Sequence, residues 1–248
     1  MKRPKDAVIQ TGVTTKGNRR VQPPGSAGAE TTRQRFLAVG TANVADVLDI
    51  MGYFDQGLSS EFSPYPANGE KLAGWAYTIR GQMTPYALEG GDPEKMKACQ
   101  GITPGQVTVW SGDGEGICYI GELIAFGMKE RGCVGALIDG GVRDIRLMAE
   151  HKFPVFARYR TPIQSLTRWK VNSWQVPVSI GGATSKCVTV HPGDFILGDE
   201  DGVIVIPSQM AVTVLAEAEA LTEKERQIRA DLKAGLTLAG ALEKYGHV

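Results

Sequence analysis

Two short stretches of the 248-residue chain carry groups that can act on an anionic substrate. In Gly121-Glu122-Leu123-Ile124 a glycine opens an expected helix, so unpaired backbone N–H groups and the positive helix end form a cradle for a carboxylate. The second stretch, Asp139-Gly140-Gly141-Val142-Arg143-Asp144, follows the carboxyl end of an apolar strand, where open α/β sheets present their ligands. There Arg143 can grip the carbonyl or carboxylate of a 2-oxo acid, and Asp144 can hold a magnesium ion that keeps most of its waters. The same residue types have plainer uses. An Arg-Asp pair at a helix start can serve as a cap, and Glu122 in a first helical turn suits the macrodipole alone.

Other chemistries lack their parts. The stretch Gly112-Asp113-Gly114-Glu115-Gly116 has neither the GxGxxG spacing of a dinucleotide site nor a following GK[ST]. No GxSxG elbow occurs, and His151, His191 and His247 are too scattered for a Ser-His-Asp triad. Cys99, Cys118, Cys133 and Cys187 form no CxxC pair, so no zinc site is expected; the apolar or small-residue surroundings of the last three suit reduced core thiols. With 27 basic and 27 acidic side chains the chain has no electrostatic footprint for nucleic acid. No apolar run reaches the length of a membrane span and no signal segment opens the chain, so a cytoplasmic location is expected.

The elements that must position these groups follow from periodicity. Val44, Val47, Leu48 and Met51 give a helix from Thr41, expected as its cap, to Gly52. Strands are expected over Leu72–Met83, Gln106–Trp110 and Val134–Ile138, the last ending in a turn at Asp139-Gly140-Gly141. Between the last two lies a helix with Ile120, Leu123, Ile124, Gly127 and Met128 on one stripe, and a further helix carries Ile145 and Met148. Short strands then run to Ile206: 155–156, 176–180, 188–190, 195–197 and 203–206. Helices alternating with strands, then a run of strands, predict a mixed α/β sandwich and not a doubly wound sheet. A long helix from Ser208 to Gly235 with a narrow apolar face is expected to pack partly on another subunit. We divide the chain into a basic extension at 1–30 (Lys2, Arg3, Lys5, Lys16, Arg19, Arg20), a catalytic domain at 31–207 and a C-terminal helical arm at 208–248.

Glu122, twenty intervening residues and Arg143-Asp144, set in GELIAFGMKERGCVGALIDGGVRD, resemble the signature of the RraA-like family. TANVADVLDIMG and PGDFILGDEDGVIVIP agree in order, so the resemblance covers about residues 31 to 235. It implies a single-domain α/β/β/α sandwich of the swivelling β/β/α type, and the activity of class II pyruvate aldolases, which cleave 4-hydroxy-4-methyl-2-oxoglutarate and 4-carboxy-4-hydroxy-2-oxoadipate. The amides of Gly121, Glu122, Leu123 and Ile124 would then bind the pyruvoyl carboxylate, and Arg143 the oxygen that becomes the enolate. Asp144 would ligate Mg2+ or Mn2+, and Glu122 would position a water for proton transfer. The resemblance further implies a homotrimer or homohexamer, with an acid from a neighbour's C-terminal helix drawn from Glu217, Glu219, Glu223 and Glu225. Oxaloacetate decarboxylation would share the site. Two alternatives accompany it: a non-catalytic regulator that binds a ribonuclease, and the same enolate chemistry on a different oxo acid.

Overall fold

The computed structural model describes residues 26–67, 69–85 and 91–248. Along the chain lie α1 (Ala27–Phe36), α2 (Thr41–Ile50), β1 (Ser63–Tyr65), β2 (Leu72–Met83), α3 (Pro93–Gln100), β3 (Gln106–Ser111), β4 (Cys118–Ile120), α4 (Glu122–Lys129), β5 (Gly135–Val142) and α5 (Ile145–Glu150). They are followed by β6 (Val155–Arg160), β7 (Trp169–Trp174), β8 (Val178–Gly181), β9 (Cys187–Val190), β10 (Phe195–Asp199), β11 (Gly202–Ile206), α6 (Ala211–Lys233) and α7 (Leu238–Tyr245). A nine-stranded mixed sheet runs β1-β6-β5-β3-β2-β10-β11, with β4 added to β5 and β7 to β2; β8 and β9 form a separate hairpin.

Both faces of the sheet are buried, and the period of two along each strand sorts the side chains between them. On β2, Trp75 faces α1, α2 and α6, Tyr77 and Ile79 face the layer of α3, α4 and α5, and Leu72 and Ala76 point to the opposite face. That opposite face gathers Val107, Val109, Leu137, Phe156, Ile196, Val203 and Val205 with Val178, Ile180, Val188 and Val190 of the hairpin. The expected mixed α/β sandwich with a long C-terminal helix is therefore the architecture, with the interior of the curled sheet as one apolar layer.

Several local expectations need correction. The boundary at residue 30 falls inside α1: Ser26 caps the helix through the Ala29 amide, and Ala29 is buried with its carbonyl accepting from Trp75 Nε1. The basic extension before it lies outside the described residues. Thr41 is the first residue of α2, and its cap comes from elsewhere: Asp199 accepts from Thr41 N at 2.9 Å and Thr41 Oγ1 at 2.5 Å. No turn occurs at Asp139-Gly140-Gly141, because β5 continues to Val142. Those glycines serve close approach, since a Cβ on Gly140 would stand 2.7 Å from the Tyr119 ring. On α4 the buried positions are Ala125 and Met128, while Leu123 is 81% exposed. Cys118 and Cys133 are buried free thiols as expected, but Cys187 sits on the outward face of β9.

Candidate active site

The two candidate stretches meet because β4 and β5 are parallel neighbours, pairing Cys118 with Gly141 and Ile120 with Val142. The chain leaves β4 at Gly121 into α4 and leaves β5 at Arg143 into α5, so both exits lie at the same end of the sheet. Gly121 is required there by proximity: a Cβ would come within 2.5 Å of Asp144 Oδ2 and 2.9 Å of Arg143 Nε. The Glu122 amide donates to Asp144 Oδ2 at 3.0 Å, which ties the two stretches together. The amides of Leu123 and Ile124 have no acceptor within their own helix. The cradle is thus partly filled by the protein's own carboxylate.

Asp144 has left-handed backbone, φ 63° and ψ 36°, and makes no cap bond to α5. Aspartate tolerates that conformation better than most residues, yet it remains strained. Asp144 Oδ2 lies 3.4 Å from Arg143 Nε, an ionic contact and not a hydrogen bond, so the buried Nε has no hydrogen-bond partner among the described residues. Arg143 stands between two cavities. One, of about 340 Å³, is lined by Gly121, Ile124, Cys118, Tyr119, Lys95 and Ser165 among others; the second, of about 530 Å³, includes Asp144, Arg160 and Thr161. Both volumes fit small-molecule sites.

Two groups at this end were not evident from residue types, His151 and Lys95. The Glu122 carboxylate does not line either cavity; Oε1 is 2.7 Å from His151 Nε2, at the end of α5. The His151 ring leans on Phe126 at 4.8 Å and its carbonyl accepts from Lys129. Lys95 is buried on α3, whose start is marked in the sequence by Asp92-Pro93, an N-cap followed by proline at the first helical position. That signal was available and would have placed a helix there. Gly112 and Gly114 make way for aromatic rings: a Cβ on Gly112 would meet Trp169 Nε1 at 2.8 Å, and Tyr119 stacks on Trp169 at 4.3 Å. The glycine-rich stretch is packing, in keeping with its failed nucleotide spacing.

Of the four acids on α6, Glu219 pairs with Arg35, Glu223 with Arg226 and Glu225 with Arg229, all within the chain. Glu217 is exposed and has no ion pair among the described residues. No group of three or more His, Cys, Asp or Glu gathers to hold a metal among those residues, and none of their helices is long and apolar enough to cross a membrane.

A family model described as RraA-like (Aldolase/RraA) matches residues 41–205, which include Lys95, Glu122, Arg143, Asp144 and His151 but not the acids of α6. The chain belongs to the RraA-like family. It is 31% identical over 215 residues to a Halalkalibacterium halodurans relative named "Putative 4-hydroxy-4-methyl-2-oxoglutarate aldolase", covering 86% of this chain and 94% of the relative. An uncharacterized Pseudomonas syringae protein of known structure superposes with a TM-score of 0.73 at 27% identity, over 89% of this chain and 99% of that one. Streptomyces coelicolor RraAS2, described as an unusual member of the RNase ES inhibitor RraA protein family, shares the fold with a TM-score of 0.69 at 22% identity, over 84% and 98% of the two chains.

Proposed function

We propose that this protein is a divalent-metal-dependent carbon–carbon lyase. Its substrate is a 4-hydroxy-2-oxo di- or tricarboxylic acid, cleaved to pyruvate by retro-aldol chemistry, with oxaloacetate decarboxylated at the same site. The observation that carries this reading is the Arg143 guanidinium: it stands at the junction of two cavities beside an open helix start, with its buried Nε unsatisfied. Both reactions pass through a pyruvate enolate, and a donor aimed at that oxygen acts as charge appears on it.

In this reading each group at this end takes one role. The free amides at the start of α4 hold the pyruvoyl carboxylate, and Arg143 meets the 2-oxo oxygen. Asp144 would hold Mg2+ or Mn2+. Its Oδ2 is engaged by the Glu122 amide, and its other oxygen accepts no hydrogen bond among the described residues. One carboxylate oxygen is a donor set that suits a cation completing its shell with waters and substrate oxygens. When bound, such a cation supplies Lewis-acid polarisation of the 2-oxo group. Glu122, whose carboxylate lies outside both cavities against His151, would reach the pyruvate methyl carbon only through a bridging water that relays the proton. The exposed Leu123, Phe126 and Ile163 beside this end support a site completed by a second copy in a trimer or hexamer, to which Glu217 is the acid left free to contribute.

The test is exchange of the pyruvate methyl protons in deuterated water with magnesium present, followed by NMR. Wild type deuterates pyruvate, and Arg143→Ala slows this by at least a hundredfold, since removing one donor to developing charge costs about 3 kcal/mol. Equal rates in both proteins, or no exchange in either, would make a non-catalytic regulator the better reading.

A further inference from the structure

The 340 Å³ cavity contains a second cation that the chemistry above leaves without a task. Lys95 is only 5% exposed, and its ammonium lies 3.0 Å from the Tyr119 carbonyl and 3.0 Å from Ser165 Oγ, with the Trp169 ring centroid 5.3 Å away. Burying an ammonium is unfavourable unless an opposite charge meets it. Among the described residues no carboxylate forms an ion pair with it. Asp92, the acid that acts on it through space, spends its two oxygens on backbone amides, those of Lys95 and Val171, each at 3.1 Å. Desolvation holds the Lys95 ammonium below its ordinary value, and Arg143 pushes it the same way. The two cations therefore share one electrostatic field. An ammonium offers three donors; Tyr119 and Ser165, which line the cavity with it, take two.

We propose that Lys95 is a second anion-binding group of this cavity, which together with Arg143 selects a ligand bearing two acidic groups over one bearing a single acidic group. This rests on reading the cavity as the 2-oxo acid site. Arg143 takes the pyruvoyl end and Lys95 the distal carboxylate, whose negative charge completes a buried pair for which no described residue supplies the anion.

A matched pair of 2-oxo acids tests this without turnover, because neither has the 4-hydroxyl that cleavage needs: 2-oxoglutarate carries the distal carboxylate and 2-oxopentanoate lacks it. Their binding to the full-length protein is measured by calorimetry with magnesium present. Wild type should prefer 2-oxoglutarate. Lys95→Met, of similar length and uncharged, should weaken 2-oxoglutarate by on the order of 10- to 100-fold and leave 2-oxopentanoate unchanged, so that the preference collapses. Lys95→Gln retains polar contact with Tyr119 and Ser165 and should lose the preference as well, which keeps the test available if the Met variant fails to fold. A preference that survives in the folded variant, or equal weakening of both acids, would show Lys95 to be only a brace between α3 and β4. Wild type that binds neither acid would overturn both this proposal and the 2-oxo acid site on which it rests.

Discussion

Asp199 and Asp144 both stand at the start of a helix, and the protein uses them in opposite ways. Asp199, 6% exposed at the end of β10, holds Thr41 through its amide and its hydroxyl and also accepts from the Asp201 amide. Asp194, in the turn before β10, likewise ties His191 and Ser208. These carboxylates are consumed by the fold. Asp144 is 38% exposed at its side chain, sits in left-handed backbone, ignores its own helix and has an oxygen to spare beside an arginine with an unsatisfied nitrogen. A carboxylate fully satisfied by neighbours stabilises; one held in strain with capacity left over is available to a ligand.

The same substitution at the two positions is the sharpest way to break that contrast. Asp144→Ala should reduce magnesium-dependent pyruvate formation by about 100-fold or more and leave the melting temperature nearly unchanged. Asp199→Ala should do the reverse, losing on the order of 2–3 kcal/mol of stability in denaturant while the folded fraction keeps its turnover. If Asp199→Ala proved the more damaging to catalysis, the division of labour would be wrong.

Gly121→Ala probes the site end alone. The added methyl must push Asp144 Oδ2 and Arg143 apart, so turnover should fall by on the order of tenfold with secondary structure intact by circular dichroism. Asp139 offers a pH test. Burial raises its carboxyl to about 6, with Arg158 opposing and Glu115 adding to the rise. Because the folded state then holds its proton more tightly than the unfolded chain, stability from this group is present at low pH and declines as pH rises from about 4 to about 6. Asp139→Asn should flatten that decline in unfolding curves across the same window. The smallest effect belongs to the far side of the molecule: Ser26→Ala removes the α1 cap and should cost about 1 kcal/mol in denaturant, with no change in kinetics.

Legibility in the sequence tracked the range of the interactions involved. The strands over Leu72–Met83 and Gln106–Trp110, and the helix carrying Val44, Val47 and Leu48, were readable because burial on a strand or helix imposes a period on neighbours in the chain. Strands β4 and β7 escaped, β4 because it is only three residues long and β7 because only Trp169 and Val171 on its inner face are fully buried. The turn expected at Asp139-Gly140-Gly141 failed for a tertiary reason. Glycine pairs do favour turns, but here Tyr119 fills the space a side chain on Gly140 would need, and the strand runs on.

The sequence by itself determined the adjacency of Arg143 and Asp144, the glycine that opens α4 before Glu122, and the two-sided apolar strands, since each depends on residues a few positions apart. Tertiary structure decided which groups join them. It brings Lys95 to Ser165 across 70 positions and His151 to Glu122 across 29, and it carries Asp199 158 positions back to the start of α2. No local pattern encodes those meetings, because the partner of a side chain is fixed by which elements the sheet sets side by side.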